Sequence, residues 1–301
     1  MCGLKWTRRA TRKIARELRR LGISLGATTV GQLLKKMGFS LRVNHKRLES
    51  GNRNPPPRRI RNRQFVYLGR KREEFTARGA PVISLDAKKK EKVGNFRNAG
   101  RSWEQKPHEV LDHDFRSDAK GIAIPYGIYD PARNQGFVAV GTSCETAAFA
   151  VDALTWWWKV YGQRMYPRAQ ELLILADCGG SNSARAHGWK YHLQRKFCNP
   201  FGLRVTLCHY PPGASKWNPI EHRLFSEISN NWAGKPLTSY ETVLKYIRRT
   251  RTSGGLKVKA CLLRKKYIKG EQVPKDEMAK VKLTRHKTLP QWNYTLTPSK
   301  T

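Results

Sequence analysis

The stretch ELLILADCGGSNSARAHGWKYHLQRKFCNPFGLRVTLCHYPPGASKWNPIEHRLFS, residues 171–226, decides the fold. Its residues 172–176 form a short, continuous apolar run, which is typical of a central strand with both faces covered. We predict that this strand ends at Asp177, and that a glycine turn, a helix, a second strand over residues 204–210 and a helix carrying Glu221 follow. Because ligands collect at the carboxyl ends of strands in open α/β sheets, Asp177 is the first candidate for chemistry.

The charge of the chain points to a polyanionic partner. Among 301 residues, 59 Lys and Arg oppose 22 Asp and Glu, which gives a formal net charge of +37. A compact monomer of this charge repels itself unless a polyanion neutralises it, and nucleic acid is the natural partner. An anionic membrane is the competing partner, but the sequence has neither a long apolar stretch nor the apolar core of a signal peptide. We therefore expect a soluble, cytoplasmic protein without a membrane partner.

A second strand is predicted to end in an aspartate. Residues 81–86, PVISLD, are a β-branched run that stops at Asp86. Lysines at positions 88, 89, 90 and 92 follow directly. Such a run beside a carboxylate site is expected where a phosphate backbone lies, although a solvated charge run on a hairpin explains it equally well. On the first interpretation, Lys88, Lys89 and Lys90 contact DNA.

The glutamate of the late helix has two interpretations. Asn218, Pro219 and Glu221 also spell a helix start, with Asn as the N-cap, Pro at the first helical position and Glu three residues after the cap. Glu221 then closes a capping box, although a glutamate in the first turn can also face a cavity. If Glu221 is only a cap, Glu227 is the replacement candidate. Lys216, just ahead of this helix, is a further candidate DNA contact.

The cysteines and histidines suggest no metal site of standard spacing. Six cysteines are scattered without a CxxC pair, so neither a disulfide framework nor a zinc finger is indicated. A zinc site drawn from His187, His192, Cys198, Cys208 and His209 is conceivable, but its spacings fit no standard pattern. Carboxylates are instead the ligands that hard cations such as Mg²⁺ prefer.

Two short amphipathic helices are predicted near the N-terminus, over residues 11–22 and from Thr28 or Thr29, either of which could be the N-cap, to Gly38. Joined by a brief turn and flanked by basic residues, they suit a helix-turn-helix whose second helix enters the major groove. An ordinary helical hairpin with a basic face fits this segment equally well. The candidate DNA contacts are Arg12, Lys13, Thr28, Thr29, Lys35 and Lys36.

The remaining segments complete an alternating pattern of helices and strands. Residues 51–63, GNRNPPPRRIRNR, indicate a basic linker, and a short helix is predicted over residues 70–79. A β-hairpin follows over residues 122–141, and then a helix over residues 146–161. The last fifty residues lack a clear periodicity, so we expect irregular structure there with one or two short strands.

The order of strand, hairpin, helix, strand, helix, strand and helix is the layout of a ribonuclease H-like domain. The segments LLILADCGGSN, HYPPGASKWNPIEHRLFS, DAKKKEKVGNFRNAGRSW, IPYGIYDPARNQGFVAVG and QWNYTL resemble those of the Rhodopirellula-type DDE transposases of bacterial insertion sequences, the ISAzo family. The resemblance runs over about residues 6–296. It implies an α/β fold, a mixed sheet flanked by helices, preceded by a small all-α helix-turn-helix region.

The resemblance also implies a function and a site. By motif, the three metal-binding carboxylates of the family fall on Asp86, Asp177 and Glu221, which would hold two Mg²⁺ or Mn²⁺ ions per site. The implied activity is metal-dependent cleavage and transfer of DNA strands at the ends of an insertion sequence. The implied partners are double-stranded DNA, as terminal inverted repeats and as target, and a second copy of the chain on the DNA. The implied location is the bacterial nucleoid.

On this resemblance we divide the chain into four parts. They are a helix-turn-helix region, residues 1–50; a basic linker with a short helix, residues 51–78; the catalytic domain, residues 79–250; and a basic extension, residues 251–301. The segment after Trp103 is abbreviated relative to the family, and Met1 lies close to the first helix, where further helices are expected. The alternative is therefore a truncated, inactive DNA-binding remnant of a transposase, and a nuclease or resolvase on the same fold is a third option.

Overall fold

The computed structural model describes residues 9–40 and 56–299, except for the side chain of Ser215. By its internal contacts the chain divides into two compact units, Met1–Glu49 and Ser50–Thr301, and each is described by itself. None of the helices within the described ranges combines the length and the apolar character that a membrane span requires.

The first unit contains two helices, α1 (Thr11–Arg20) and α2 (Ala27–Lys36). They pack against each other, and Ala15 of α1 and Val30 of α2 are buried. Gly22 follows α1 and Gly38 follows α2, both in the left-handed conformation that glycine adopts readily. The sequence predicts both glycines as helix ends. The two predicted helices are therefore confirmed, whereas their role on DNA stays a prediction.

The predicted N-cap of α2 is wrong. Gly26 occupies the cap position in an extended conformation, so Thr28 and Thr29 lie within the first turn of the helix. The helix starts earlier than predicted because Ala27 is a strong helix former and glycine is an acceptable N-cap. Both threonines are exposed on the surface of this unit.

The helices of the second unit surround a sheet. They are α3 (Arg58–Ala77), α4 (Ala147–Trp157), α5 (Gln163–Met165), α6 (His187–Leu193), α7 (Asn199–Phe201), α8 (Ser226–Asn231), α9 (Tyr240–Arg249) and α10 (Lys275–Ala279). Three π-helical turns extend them, namely Trp158–Gly162 after α4, Gln194–Cys198 between α6 and α7, and Glu221–Phe225 before α8.

Nine strands within residues 56–299 form one mixed sheet in the order β7-β4-β3-β1-β5-β6-β9-β8, with β2 paired to β3. The strands β1, β5 and β6 are parallel to one another, whereas β3 is antiparallel to both β1 and β4. The strands are β1 (Val82–Ala87), β2 (Glu91–Val93), β3 (Gly121–Asp130), β4 (Gln135–Gly141), β5 (Glu171–Ala176), β6 (Arg204–His209), β7 (Lys257–Leu263), β8 (Leu283–Arg285) and β9 (Asn293–Leu296).

The two faces of the sheet explain the continuous apolar run in β5. Leu172 and Ile174 belong to the core under α4 and α6, whereas Leu173 and Leu175 pack in the core under α3. Because helices cover both faces, every residue of this strand is apolar except the first. The mixed sheet flanked by helices confirms the predicted fold class.

The predicted linker and short helix before β1 are wrong in extent. The helix α3 begins at Arg58, directly after Pro57, and continues for 20 residues to Ala77. A helix can begin directly after a proline, so Pro57 stands at the start of this helix as its N-cap. Residues 51–55 of the predicted linker lie outside the described residues. Tyr67, Leu68 and Phe75 anchor the helix on the sheet.

The expectation of an irregular C-terminal extension is also wrong. The segment contributes β7 beside β4, and β9 beside β6, so a boundary at residue 250 would cut the sheet. The strand β7 is an edge strand in which exposed Lys257 and Lys259 alternate with buried Val258 and Ala260. Lysine on an edge strand protects it from pairing with other chains, and it dilutes the apolar signal in the sequence.

Candidate active site

Two aspartates meet at one edge of the sheet because β1 and β5 are adjacent and parallel. Leu85 pairs with Ala176 in the register of these strands, and Asp86 and Asp177 are the next residue of each. Side chains at matching positions of parallel strands lie at the same edge. The structure therefore brings together the two aspartates that the sequence singled out.

Glu221 joins the two aspartates from the π-helical turn before α8. After burial, its charge is among the causes that raise the pKa of both Asp86 and Asp177. All three predicted carboxylates thus converge, although their role as metal ligands stays a prediction.

Asn218 fixes the start of this turn to β1. Its buried side-chain amide donates a hydrogen bond to the carbonyl oxygen of Leu85 at 3.1 Å, and its Oδ1 accepts one from the hydroxyl of Ser84. The side chain is therefore engaged with the strand that carries Asp86 and does not act as a helix cap. The capping-box interpretation of Glu221 is not supported by these contacts.

A glycine lets the turn pack closely on the sheet. Gly127 of β3 pairs with Asp86, and a Cβ at this position would lie 2.6 Å from Phe225 and 2.8 Å from Ile220. Both apolar side chains flank Glu221 in the chain. The absence of a side chain on Gly127 therefore determines how near Glu221 comes to Asp86.

The surroundings of Asp86 and Asp177 raise the pKa of both carboxyls. Burial is the main cause that raises the pKa of Asp86, and the charges of Asp177 and Glu221 raise it further. Burial also raises the pKa of Asp177, while a hydrogen bond from the Gly179 N–H at 3.3 Å opposes this effect. Like charges in one buried site favour a shared proton or a bound cation, and the titration belongs to the cluster as a whole.

Among residues 9–40 and 56–299, no three His, Cys, Asp or Glu side chains are arranged to hold a metal ion as they stand. The histidines of the zinc alternative have other partners: His192 contacts Glu271, and His209 contacts the carbonyl of Asp177. The donor set, three carboxylates at one sheet edge, nevertheless fits a hard divalent cation.

A cavity of about 380 Å³ opens at this edge, and Glu145 takes part in it alongside Asp86 and Asp177. Burial raises the pKa of Tyr126, and the charges of these same three carboxylates raise it further. The sequence reasoning missed Glu145 because it follows a strand as an isolated polar residue in a turn, without a motif around it.

His209 forms a hydrogen bond with the backbone of Asp177. The ring is fully buried, its Nδ1 lies 2.8 Å from the carbonyl oxygen of Asp177, and its Nε2 lies 3.2 Å from the hydroxyl of Tyr294. Burial lowers the pKa of His209 to about 4, so the ring is neutral. Because a carbonyl can only accept, Nδ1 carries the proton and Nε2 accepts from Tyr294. The ring therefore fixes the backbone at Asp177.

The three lysines after β1 differ in exposure, because Lys89 and Lys90 are exposed and Lys88 is buried. The side chain of Lys88 is 8% exposed, with its Nζ 2.9 Å from Glu91 and 4.6 Å from the ring centre of Trp232. Its burial argues against Lys88 as a DNA contact, which stays a prediction. The Nζ of Lys90 pairs with Glu145 at 3.2 Å, whereas Lys89 is exposed.

The other candidate DNA contacts are exposed, and their contact with DNA stays a prediction. The Lys216 ammonium lies 5.5 Å from the ring centre of Trp217, which is itself 58% exposed. The exposed candidates of the first unit are Arg12, Lys13, Thr28, Thr29, Lys35 and Lys36.

A family model described as the Rhodopirellula transposase DDE domain matches residues 1–298 of the chain. Comparison with curated proteins gave no significant match.

Solved structures of the Mos1 transposase are similar in fold. A mariner Mos1 paired-end complex with Mn has 19% sequence identity and a TM-score of 0.50. A paired-end complex with Mg has 18% identity and a TM-score of 0.49. Each similarity covers 79% of this chain and 65% of the Mos1 chain, so the protein spans just under two thirds of the length of these relatives. At this identity the likeness concerns the fold alone.

Proposed function

Since this chain belongs to the family of Rhodopirellula transposases with a DDE domain, we propose that it is a DNA transposase that cleaves the ends of an insertion sequence and transfers them to target DNA. The observation that carries the proposal is the convergence of Asp86, Asp177 and Glu221 at one sheet edge. Three carboxylates this close together, one of them buried and two partly buried, repel one another, and such an arrangement is typical of a site that binds cations.

The proposed roles follow from where each carboxylate lies. Asp86, Asp177 and Glu221 would together hold two Mg²⁺ or Mn²⁺ ions, and Asp86 is the most buried of the three. When bound, the ions activate the attacking oxygen and stabilise the charge on the leaving oxygen. His209 holds the backbone of Asp177, and Asn218 holds the turn of Glu221 against β1.

The proposed reaction has two displacements at phosphorus in one site. In the first, water attacks the phosphodiester at the end of the element, the bond to the 3′ oxygen breaks, and a 3′ hydroxyl is released. In the second, that 3′ hydroxyl attacks a phosphodiester of the target, a new phosphodiester forms, and a target 3′ hydroxyl leaves. Oxygen donors to hard cations suit both steps, so no histidine acts as base.

The proposed partners are duplex DNA and a second copy of the chain. The net charge of +37, the exposed Lys89 and Lys216 and the basic helices of the first unit support binding to phosphate backbones. A homodimer on DNA is proposed because two ends must be joined together. A DNA substrate of this kind implies action at the bacterial nucleoid. The convergence of all three carboxylates favours this enzyme over the inactive remnant.

Cleavage of DNA that contains the terminal repeats tests the proposal. We expect strand cleavage with Mg²⁺ and none with EDTA, and we expect Asp86→Asn, Asp177→Asn and Glu221→Gln each to abolish cleavage while binding of uncut duplex persists. Glu227→Gln is the matched control and should cleave normally. Normal cleavage by Glu221→Gln, with loss in Glu227→Gln, would instead assign the third ligand to Glu227.

A further inference from the structure

Glu145 reaches the loop that follows Asp177. It directly precedes Thr146, the N-cap of α4, and its side chain is only 16% exposed. Its Oε1 lies 3.1 Å from the position that a Cβ on Gly180 would occupy, and Gly180 has φ +65°. The loop therefore approaches Glu145 this closely because residue 180 is a glycine.

Glu145 lines the cavity at the ends of β1 and β5, and it lies on the other side of the two aspartates from Glu221. Asp86 and Asp177 line the cavity with it, whereas Glu221 reaches Asp86 from the turn that packs on Gly127, on the opposite face of the sheet from α4. The hydroxyl of Tyr126 is fully buried and has no hydrogen-bond partner among the described residues, and it lies within the field of Asp86, Asp177 and Glu145. An unpartnered buried hydroxyl beside carboxylates indicates that a ligand or water belongs there.

Glu145 already forms an ion pair with a lysine side chain. The Nζ of Lys90 lies 3.2 Å from Oε2, and the Lys90 side chain is 46% exposed. A half-exposed ion pair has little net stability, because its charges remain hydrated and lysine has many rotamers. Lys90 can therefore leave Glu145 at small cost when a stronger cation arrives.

We propose that Glu145 is a fourth carboxylate ligand of the divalent-cation site, on the wall opposite Glu221, and that Lys90 is the counter-ion that an incoming cation displaces. This inference rests on the proposed function, since it assumes that Asp86 and Asp177 bind divalent cations. It adds a ligand and a competing cation that the three-carboxylate motif does not contain.

Two substitutions are expected to change cation affinity in opposite directions. Glu145→Asp keeps the negative charge but shortens the side chain by one methylene. If Glu145 binds the ion directly, the shorter side chain no longer reaches it; if Glu145 acts only through its charge at a distance, the substitution has little effect. Lys90→Met keeps the stem and removes the competing charge. We expect Mn²⁺ to bind about 10-fold or more weakly to Glu145→Asp and a few-fold more tightly to Lys90→Met.

The experiment is calorimetric titration of the full chain, without DNA, with Mn²⁺, together with the shift in thermal unfolding that Mn²⁺ produces. Glu171→Asp is the matched control, because Glu171 is also a partly exposed glutamate in an ion pair, with Arg78 at 2.8 Å, but lies at the far end of β5. Its Mn²⁺ affinity should equal that of the wild type. The unfolding curves without metal show whether each variant is folded.

The outcomes separate this inference from the proposed function. If wild type binds Mn²⁺, Asp86→Asn loses binding and Glu145→Asp binds as wild type does, then Glu145 is not a ligand and the inference is overturned. Weaker binding by Lys90→Met would overturn the role given to Lys90. If wild type does not bind Mn²⁺, or Asp86→Asn binds it normally, the proposed function itself fails.

Discussion

At Asp86, the negative charge that the proposed function requires lowers the stability of the fold. The residue is 7% exposed, and this burial, followed by the charges of Asp177 and Glu221, raises its pKa above the ordinary value of 3.8. A raised pKa in the folded state means that this group stabilises the fold fully below pH 3.8 and loses that contribution as the pH rises. Asparagine has nearly the same shape and stays neutral at every pH.

We therefore predict that Asp86→Asn stabilises the protein in EDTA at pH 8, by about 1–3 kcal/mol, while it abolishes cleavage. The advantage should shrink as the pH falls and vanish near pH 4, where both residues are neutral. Chemical denaturation across this pH range measures it. Excess Mg²⁺ should reduce the difference, because only the wild type binds the ion. A destabilised Asp86→Asn at pH 8 in EDTA would contradict the electrostatic account.

His209 has the opposite dependence on pH. Its pKa falls from 6.5 to about 4 in the folded protein because the ring is buried. The unfolded chain thus binds more protons between these values, so the stability that the neutral ring contributes is present above pH 6.5 and is lost as the pH falls toward 4. Variants without this ring should lose that part of the acid sensitivity.

We predict that His209→Leu costs about 2–4 kcal/mol, because it leaves the Asp177 carbonyl and the Tyr294 hydroxyl unpaired, and that it lowers cleavage. His209→Asn retains a donor near the position of Nδ1 and should recover part of the cleavage. Thr206→Val is the control, since its hydroxyl bonds Thr295 at 3.0 Å on the same strand pair. If Thr206→Val lowers cleavage as much as His209→Leu, the effect is one of stability alone.

The sequence could reveal only those site residues that stand next to a recognisable element. Asp86 and Asp177 each follow an apolar run, so the strand itself identified them. Asn218 looked like a helix cap because local spacing cannot show that its side chain bonds Leu85 and Ser84, which lie more than a hundred residues earlier in the chain. Glu145 and His209 act through contacts across the sheet, and no local pattern encodes such contacts.

At the scale of elements, the position of the turn that carries Glu221 depends on one glycine. Gly127→Ala should place a methyl group against Phe225 and Ile220, push the turn away from β3 and cost about 1–3 kcal/mol. We predict that cleavage falls far more than duplex binding. Cleavage rates and binding constants measured on the same preparation separate the two effects.

Gly69 provides the matched control for that substitution. It lies within α3, and a Cβ there would meet no atom within 4 Å. Gly69→Ala should therefore stabilise the protein by about 0.5–1 kcal/mol through its helix propensity and leave cleavage unchanged. Wild-type cleavage by a stable Gly127→Ala would show that the turn tolerates displacement.

Elements were predictable from the sequence where both faces of a strand or one face of a helix are apolar. The strands β1, β5 and β6 and the hairpin of β3 and β4 satisfy this condition, as does α4. The sequence predicts too short a helix α3, because the first half of the helix is rich in arginine. Its buried residues are Gln64, Tyr67, Leu68 and Phe75. Gln64 is buried because it exchanges hydrogen bonds with Asn293 of β9, at 2.8 and 2.7 Å. Such a polar pair is invisible to an apolar pattern.

At the scale of the whole molecule, an acidic centre lies within a very basic chain. The carboxylates would repel DNA unless cations neutralise them, while the surrounding lysines and arginines attract it. Metal binding and DNA binding should therefore support each other at the site. The affinity for DNA away from the site depends on which cations are exposed, and not on the net charge alone.

Lys88 and Lys89 allow this distinction to be tested, because they are neighbours of equal charge and unequal exposure. The ammonium of Lys88 is buried against Trp232 and Glu91, whereas Lys89 is exposed. A cation that neutralises one phosphate adds about 0.9 to the slope of log affinity against log salt concentration. We predict that Lys89→Ala lowers this slope for a duplex of fixed length by about 0.9, whereas Lys88→Met, which preserves packing on Trp232, leaves it unchanged. Equal losses of slope in the two variants would mean that total charge, and not contact with phosphate, governs binding.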